Sequence, residues 1–268
     1  MPTAKKRTRS YDPAKTRAAV LAQFGHVRDA VLTLTPEQLA LPTRLGEWTV
    51  RELAAHISMG LGSLIRGVAA PEPASRDLEL TEWAPATRQY AEDVDAAARE
   101  IAEAAAVDPA GLAALYEETG RNLADALAAA PDERLIETRF GGVRLADFLV
   151  TRTVELVVHT DDLNDATGLA VPFDRQALAA CTRLLADALA VKAPGGSVEV
   201  RVPPYAVVQC VEGPRHTRGT PPNVVETDPL TWIRLATGRT TWQEALSAAQ
   251  VSASGERADL AALLPLLG

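Results

Sequence analysis

Cysteine is scarce in this chain: two residues in 268, Cys181 and Cys210, far apart and outside any CxxC spacing. That excludes a disulfide scaffold and points to a reducing, cytoplasmic setting. Aromatic residues are also few, at 4% of the chain, so alanine and leucine must fill the core, which favours packed helices. No apolar run approaches the roughly 18 residues of a membrane span. The basic cluster Lys5-Lys6-Arg7-Thr8-Arg9 leads into no apolar stretch, so no secretory signal is expected. Positive charge is in deficit: 27 Lys plus Arg face 35 Asp plus Glu, a net charge of -8. That balance argues against a nucleic-acid partner and leaves residues 1–10 as a solvated tail. There is no internal repeat and no nucleophile elbow. Gly60-Leu-Gly62 lies mid-helix with no strand before it, so it is not a nucleotide loop.

What the chain does have is punctuated helix. Pro13 to Leu34 reads as a first helix with Val20, Phe24, Val27 and Val31 on its buried side. Thr49-Val-Arg-Glu52 is a capping box that starts a second, running to about Val68. A third run spans about Thr81 to Ala105, and Asp108-Pro109 opens a fourth that Pro131 stops. Gly141-Gly142 releases the chain into another helix ending near Gly168. These read as an up-and-down four-helix bundle over residues 11–172. A helix from Asp174 to Val191 and the linker Pro194-Gly195-Gly196 connect it onward, over 173–196. The periodicity then changes. Ser197–Val202 alternates with period two, Tyr205–Val211 and Asn223–Glu226 look like strands, and Glu212 to Arg215 like a hairpin turn that places His216 at the surface. Asp228-Pro229 and Thr241-Trp-Gln-Glu244 start helices, Val251–Ser254 is a short strand, and Ala258 to Leu267 a final helix. The fold class is mainly α, with a small α+β domain over 197–268.

The chemistry concentrates on one stripe. Phe148, Arg152, Glu155, His159 and Asp162 follow one another at spacings of three and four, the seam a helix normally buries. Its flanks are apolar: Leu149, Val150, Val154, Leu156, Val157, Val158 and Leu163. Buried charges cost several kcal/mol each unless they pair, reach water or bind a cation. An acid and a histidine at i and i+4 can chelate a metal from one side, with a third ligand from another helix. His56, on the core face of the second helix, is the natural third partner. The spacing alone leaves two readings open, an open metal site or an Arg152–Glu155–His159 ion network that staples the bundle.

The segment Gly46-Glu-Trp-Thr-Val-Arg-Glu-Leu-Ala-Ala-His56, together with Arg152-x-x-Glu155-x-x-x-His159-x-x-Asp162-Leu163, resembles the mycothiol-dependent maleylpyruvate isomerase family of actinobacteria. That family falls within the DinB-like metalloenzymes, and the C-terminal part is similar to its sterol-carrier-like domain. The resemblance implies that His56, Glu155 and His159 bind a divalent metal, Zn2+ by preference. It also implies that the metal activates a low-molecular-weight thiol, mycothiol, for cis–trans isomerisation or for S-transfer to an electrophile. No protein cysteine is then needed, and Cys181 and Cys210 read as packed thiols.

Asp162 and Arg152 match no metal ligand. They are candidates for cofactor binding from outside the ligand set, orienting His159 or Glu155. Arg234 and Arg239, a helical turn apart, are candidate catalytic arginines that would hold an anionic substrate or thiol, with simple solvent exposure as the alternative. His26 reads as an ordinary helix residue, and Trp83, Trp232 and Trp242 as packing residues. The expected partners are a small electrophile and a small thiol, with no nucleic acid and no membrane, in a monomer or weak homodimer. The alternative from another class is a non-catalytic, metal-stabilised protein that binds a small ligand. An open coordination position separates the two, because a structural site is closed by a fourth protein ligand.

Overall fold

The computed structural model describes residues 9–87, 109–213 and 221–267. The basic tail before Arg9, most of the expected third run with Tyr90 and Val94, and His216 lie outside them.

Four long helices build the first half. Helix α1 (Pro13–Val31) starts at Asp12, whose carboxylate accepts from the Lys15 amide, with proline at the first helical position where its missing N–H is harmless. Helix α2 (Val50–Ala69) starts at Thr49, whose amide donates to the Glu52 carboxylate at 2.8 Å. Helix α3 spans Pro109–Ala129 and α4 spans Leu145–Thr167, the latter ending on Gly168 at φ +70°, a conformation glycine adopts without strain. Between α2 and α3 are short turns at Leu80–Glu82 and Trp83–Ala86. Helices α1 and α2 each pack against both α3 and α4. Phe24 stacks on Tyr116 at 5.5 Å, and the Tyr116 hydroxyl donates to the Ala54 carbonyl, tying three helices together.

Helix α4 is the centre of the molecule. Residues 145–163 are buried apart from Glu155, because α1, α2 and a fifth helix, α5 (Arg175–Lys192), all pack on it. That is why its apolar residues run all round rather than along one stripe.

The expected direct entry from Gly141-Gly142 into α4 is replaced by a hairpin, β1 (Leu135–Thr138) with β2 (Gly141–Arg144). Gly142 is required here by a crossing chain. A Cβ at that position would sit 2.0 Å from the Ser75 carbonyl oxygen, and the Gly142 amide donates to the Asp77 carboxylate.

The second half is a four-stranded sheet in the order β4 (Ala206–Cys210), β3 (Val198–Val202), β5 (Val224–Thr227), β6 (Val251–Ser254). The β3–β5 pair is parallel and the other two antiparallel. Val198, Val200 and Val202 alternate inward, toward a core that includes Leu184, Leu185 and Leu189 of α5. Helices α6 (Pro229–Ala236) and α7 (Trp242–Ser247) complete the unit, their caps at Asp228 and Thr241. The expected last helix is absent. Only Ala261–Leu263 forms a 3-10 turn, because Pro265 has no N–H to continue a helix. The amides of Leu266 and Leu267 donate instead to the Ala236 carbonyl, which pins the end of the chain to α6. The architecture is a four-helix bundle followed by a small α+β unit. Among the described residues no helix is long and apolar enough to cross a membrane.

Candidate metal centre

Helix α4 carries Glu155 and His159 one turn apart, and α2 brings His56 to face them. One donor atom from each of the three lies within 4.8 Å of the others. The Nε2 of His56 and the Nε2 of His159 stand 3.5 and 3.4 Å from the same Glu155 Oε2. Those separations are long for hydrogen bonds between charged partners. They match the edge of a tetrahedron about a zinc-sized ion, about 3.3 Å for bonds near 2.0 Å. Two imidazoles and a carboxylate are also a donor set that zinc accepts. The residues present therefore fit a divalent cation.

Burial and the neighbouring groups set the ionisation of the three donors. Burial lowers the His56 pKa, against the pull of Glu155, so its ring stays neutral and able to ligate. His159 is also opposed by burial, but the carboxylates of Asp162 and Glu155 win and raise its pKa. Burial disfavours a charged Glu155, yet the two histidines hold it well below the usual carboxylate range. Asp162 stands behind His159: His159 Nδ1 lies 2.9 Å from its Oδ2. A carboxylate acceptor there places the proton on Nδ1 and leaves the Nε2 lone pair facing Glu155 and His56.

Asp162 is completely buried and has further partners. Arg44 donates to its Oδ1 at 2.7 Å and Arg239 to its Oδ2 at 2.9 Å. Next to it, Asp161 takes Arg44 as well as both arms of Arg234, at 2.9 and 2.7 Å. Burial opposes ionisation of Asp162, but His159 and Arg239 together drive its pKa far down. Arg234 and Arg239 thus do turn toward the bundle, where each is engaged by an aspartate of α4. Arg239 also reaches the cavity wall; Arg234 does not line it. Sequence reasoning missed Arg44 and Asp161. Arg44 sits in the loop before α2, just ahead of the Gly46–His56 segment, and it pairs across more than a hundred residues.

The three donors open into a cavity of about 430 Å³. Its walls are mainly apolar, including Trp48, Met59, Phe148, Val154 and Val158, with Thr237, Arg239 and Leu267 coming from the C-terminal unit. Glu155 is the only carboxylate among the described residues that line it, and 29% of its side-chain surface is open. Arg152 lines the same cavity, buried, with its guanidinium 4.5 Å above the Phe148 ring. The cysteines are elsewhere. Both are buried and outside any disulfide, and burial pushes the Cys181 thiol far up, away from any role as a nucleophile.

The fold has known counterparts. The crystal structure of a mycothiol-dependent maleylpyruvate isomerase superposes with a TM-score of 0.62 at 15% identity, over 96% of this chain and 97% of that one. A histidine-to-alanine mutant of such an isomerase matches at 0.62 and 14% identity, with the same coverage. YfiT from Bacillus subtilis, whose four-helix bundle topology is described as unusual, matches at 0.38 and 19% identity, over 63% of this chain and 95% of that one, too distant to add weight. No curated protein matches the chain in sequence. Residues 174–266 match the bacterial SCP ortholog family. Residues 20–164, more than half of the chain, match the mycothiol maleylpyruvate isomerase N-terminal domain, and the chain belongs to that family.

Proposed function

We propose that the protein is a metal-dependent enzyme that uses a small thiol, mycothiol, to isomerise a maleylpyruvate-like cis enone or to transfer the thiol to an electrophile. The observation that carries this is the opening of a three-donor site, His56, Glu155 and His159, into a cavity large enough for small organic ligands. When bound, a divalent zinc ion would favour the thiolate of a coordinated thiol over its neutral form.

The rest falls to the chain itself. His56, Glu155 and His159 would hold the ion and leave one side to the cavity. Asp162 keeps the proton of His159 on Nδ1, so that Nε2 remains a ligand. The apolar walls exclude water from a nucleophile that water would otherwise solvate. In isomerisation a C–S bond forms and, after the carbon–carbon bond has turned, breaks again, returning the thiolate with no net redox change. Such a cycle needs walls that hold the adduct without trapping it, and Met59, Val154 and Val158 offer no proton donor. We place the reaction in the cytoplasm, where small thiols stay reduced.

The test is turnover of maleylpyruvate by the zinc-loaded chain with and without mycothiol. Conversion that requires both zinc and thiol supports the proposal. A closed, four-ligand metal site with no thiol-dependent reaction on any cis enone would replace it with the metal-stabilised binding protein.

A further inference from the structure

Arg152 is the one charged residue of the stripe that forms no close ion pair among the described residues, Glu155 acting on it only at longer range. It is 7% exposed, and no carboxylate of the described residues comes within ion-pair distance of 4.0 Å. Its hydrogen bonds go to the Thr151 hydroxyl, at 3.3 and 3.2 Å, and its flat face rests on Phe148. Neither neutralises a buried cation, which is strongly unfavourable without an anion. Burial opposes its charge, Glu155 favours it, and Arg139, on the same cavity wall, opposes it again. Two like charges facing one mainly apolar cavity, beside a site built for a divalent cation, leave a surplus of positive charge there.

Gly60 points the same way. It sits inside α2, where glycine is disfavoured relative to alanine. A Cβ there would lie 3.3 Å from Arg152 Nη1. The missing side chain makes room for the guanidinium at the cavity wall.

We propose that Arg152 is the anion anchor of the cavity and takes a carboxylate of the electrophilic substrate, one helical turn from the metal ligand Glu155. The planar fork of arginine suits a carboxylate, and the Phe148 ring holds the fork flat. The inference rests on the metal–thiol reading, and adds to it the residue that holds a carboxylate of the electrophile.

The test is calorimetric titration of the zinc-loaded full chain with fumarate and with its uncharged diamide, alongside Arg152→Met, Arg152→Lys and Gly60→Ala. The wild type is expected to prefer fumarate by about 10- to 100-fold, the worth of a hydrogen-bonded charge pair. Arg152→Met should lose that preference and keep its zinc. Arg152→Lys, which keeps the charge without the fork, should retain part of it, and Gly60→Ala should fall between. A purely structural Arg152 would lower Tm in Arg152→Met yet leave the fumarate-to-diamide ratio unchanged, and that result overturns the proposal, as does a wild type with no preference. Persistence of fumarate binding under saturating 2-mercaptoethanol assigns the carboxylate to the electrophile, and its displacement overturns that assignment. Should the chain take up no zinc, the metal–thiol reading fails, and the same ratio on the metal-free chain decides Arg152 separately.

Discussion

The two ends of the charged stripe on α4 are treated in opposite ways. At the C-terminal end, Asp161 and Asp162 are buried and saturated, with Arg44, Arg234, Arg239 and His159 supplying donors. At the N-terminal end, Arg152 and Glu155 face a cavity, and Arg152 makes no ion pair within 4.0 Å among the described residues. Arg152 is buried like Asp161 and Asp162, so burial alone does not separate structural charge from functional charge. Satisfaction does. The closed end joins the C-terminal unit to the bundle and fixes a histidine tautomer, while the open end keeps its valences for ligands.

Breaking the open end should have the largest effect. His56→Ala or His159→Ala removes a donor from a three-donor set. Metal affinity should fall by more than about 100-fold, since losses outside the ligand set alone cost about 10- to 100-fold; equilibrium dialysis against a competing chelator reads this. At the closed end, Asp162→Ala strips the partner from two arginines and a histidine. It should cost about 3–5 kcal/mol of stability in chemical denaturation, the usual penalty for orphaning buried charge. Asp162→Asn sharpens the contrast, because it keeps an acceptor for His159. Its metal affinity should drop by about 10- to 100-fold with the fold intact. Arg234→Ala should do less, about 1 kcal/mol, because Arg44 still serves Asp161. A double-mutant cycle with Asp161→Ala isolates that pair.

Acidity tests the junction between the two ends. His159 is raised, so in the metal-free protein it holds a proton over a wider range than a free histidine, and that proton must leave on coordination. Metal affinity should therefore weaken as pH falls through the raised value, by about tenfold per unit below it. The metal-free fold behaves in the opposite sense. The contribution of His159 to its stability is full below the unfolded pKa of about 6.5 and is lost as pH rises through the raised value.

Much of the open end was legible in the sequence, because three-and-four spacing puts Arg152, Glu155 and His159 on one face whatever else the chain does. His56 was legible through the capping box that fixes the phase of α2. The closed end was not. Arg234 and Arg239 could be aimed at the bundle, but their pairing with Asp161 and Asp162 spans 73 and 77 residues and depends on how two units dock. The β1–β2 hairpin was hidden because four-residue strands give no readable alternation, and its Gly142 answers to a chain crossing from Ser75. The last segment misled through its leucines. Apolar content suggested a helix, while Pro265 and the Ala236 carbonyl settled a different path.

The most direct measurement is the metal content of the purified chain by elemental analysis, wild type beside His56→Ala. Near-stoichiometric divalent metal in the wild type and its loss in the variant is the expected result. A wild type that holds no metal even after reconstitution, or a variant that holds as much, would contradict the three-donor site and leave a buried ion network in its place.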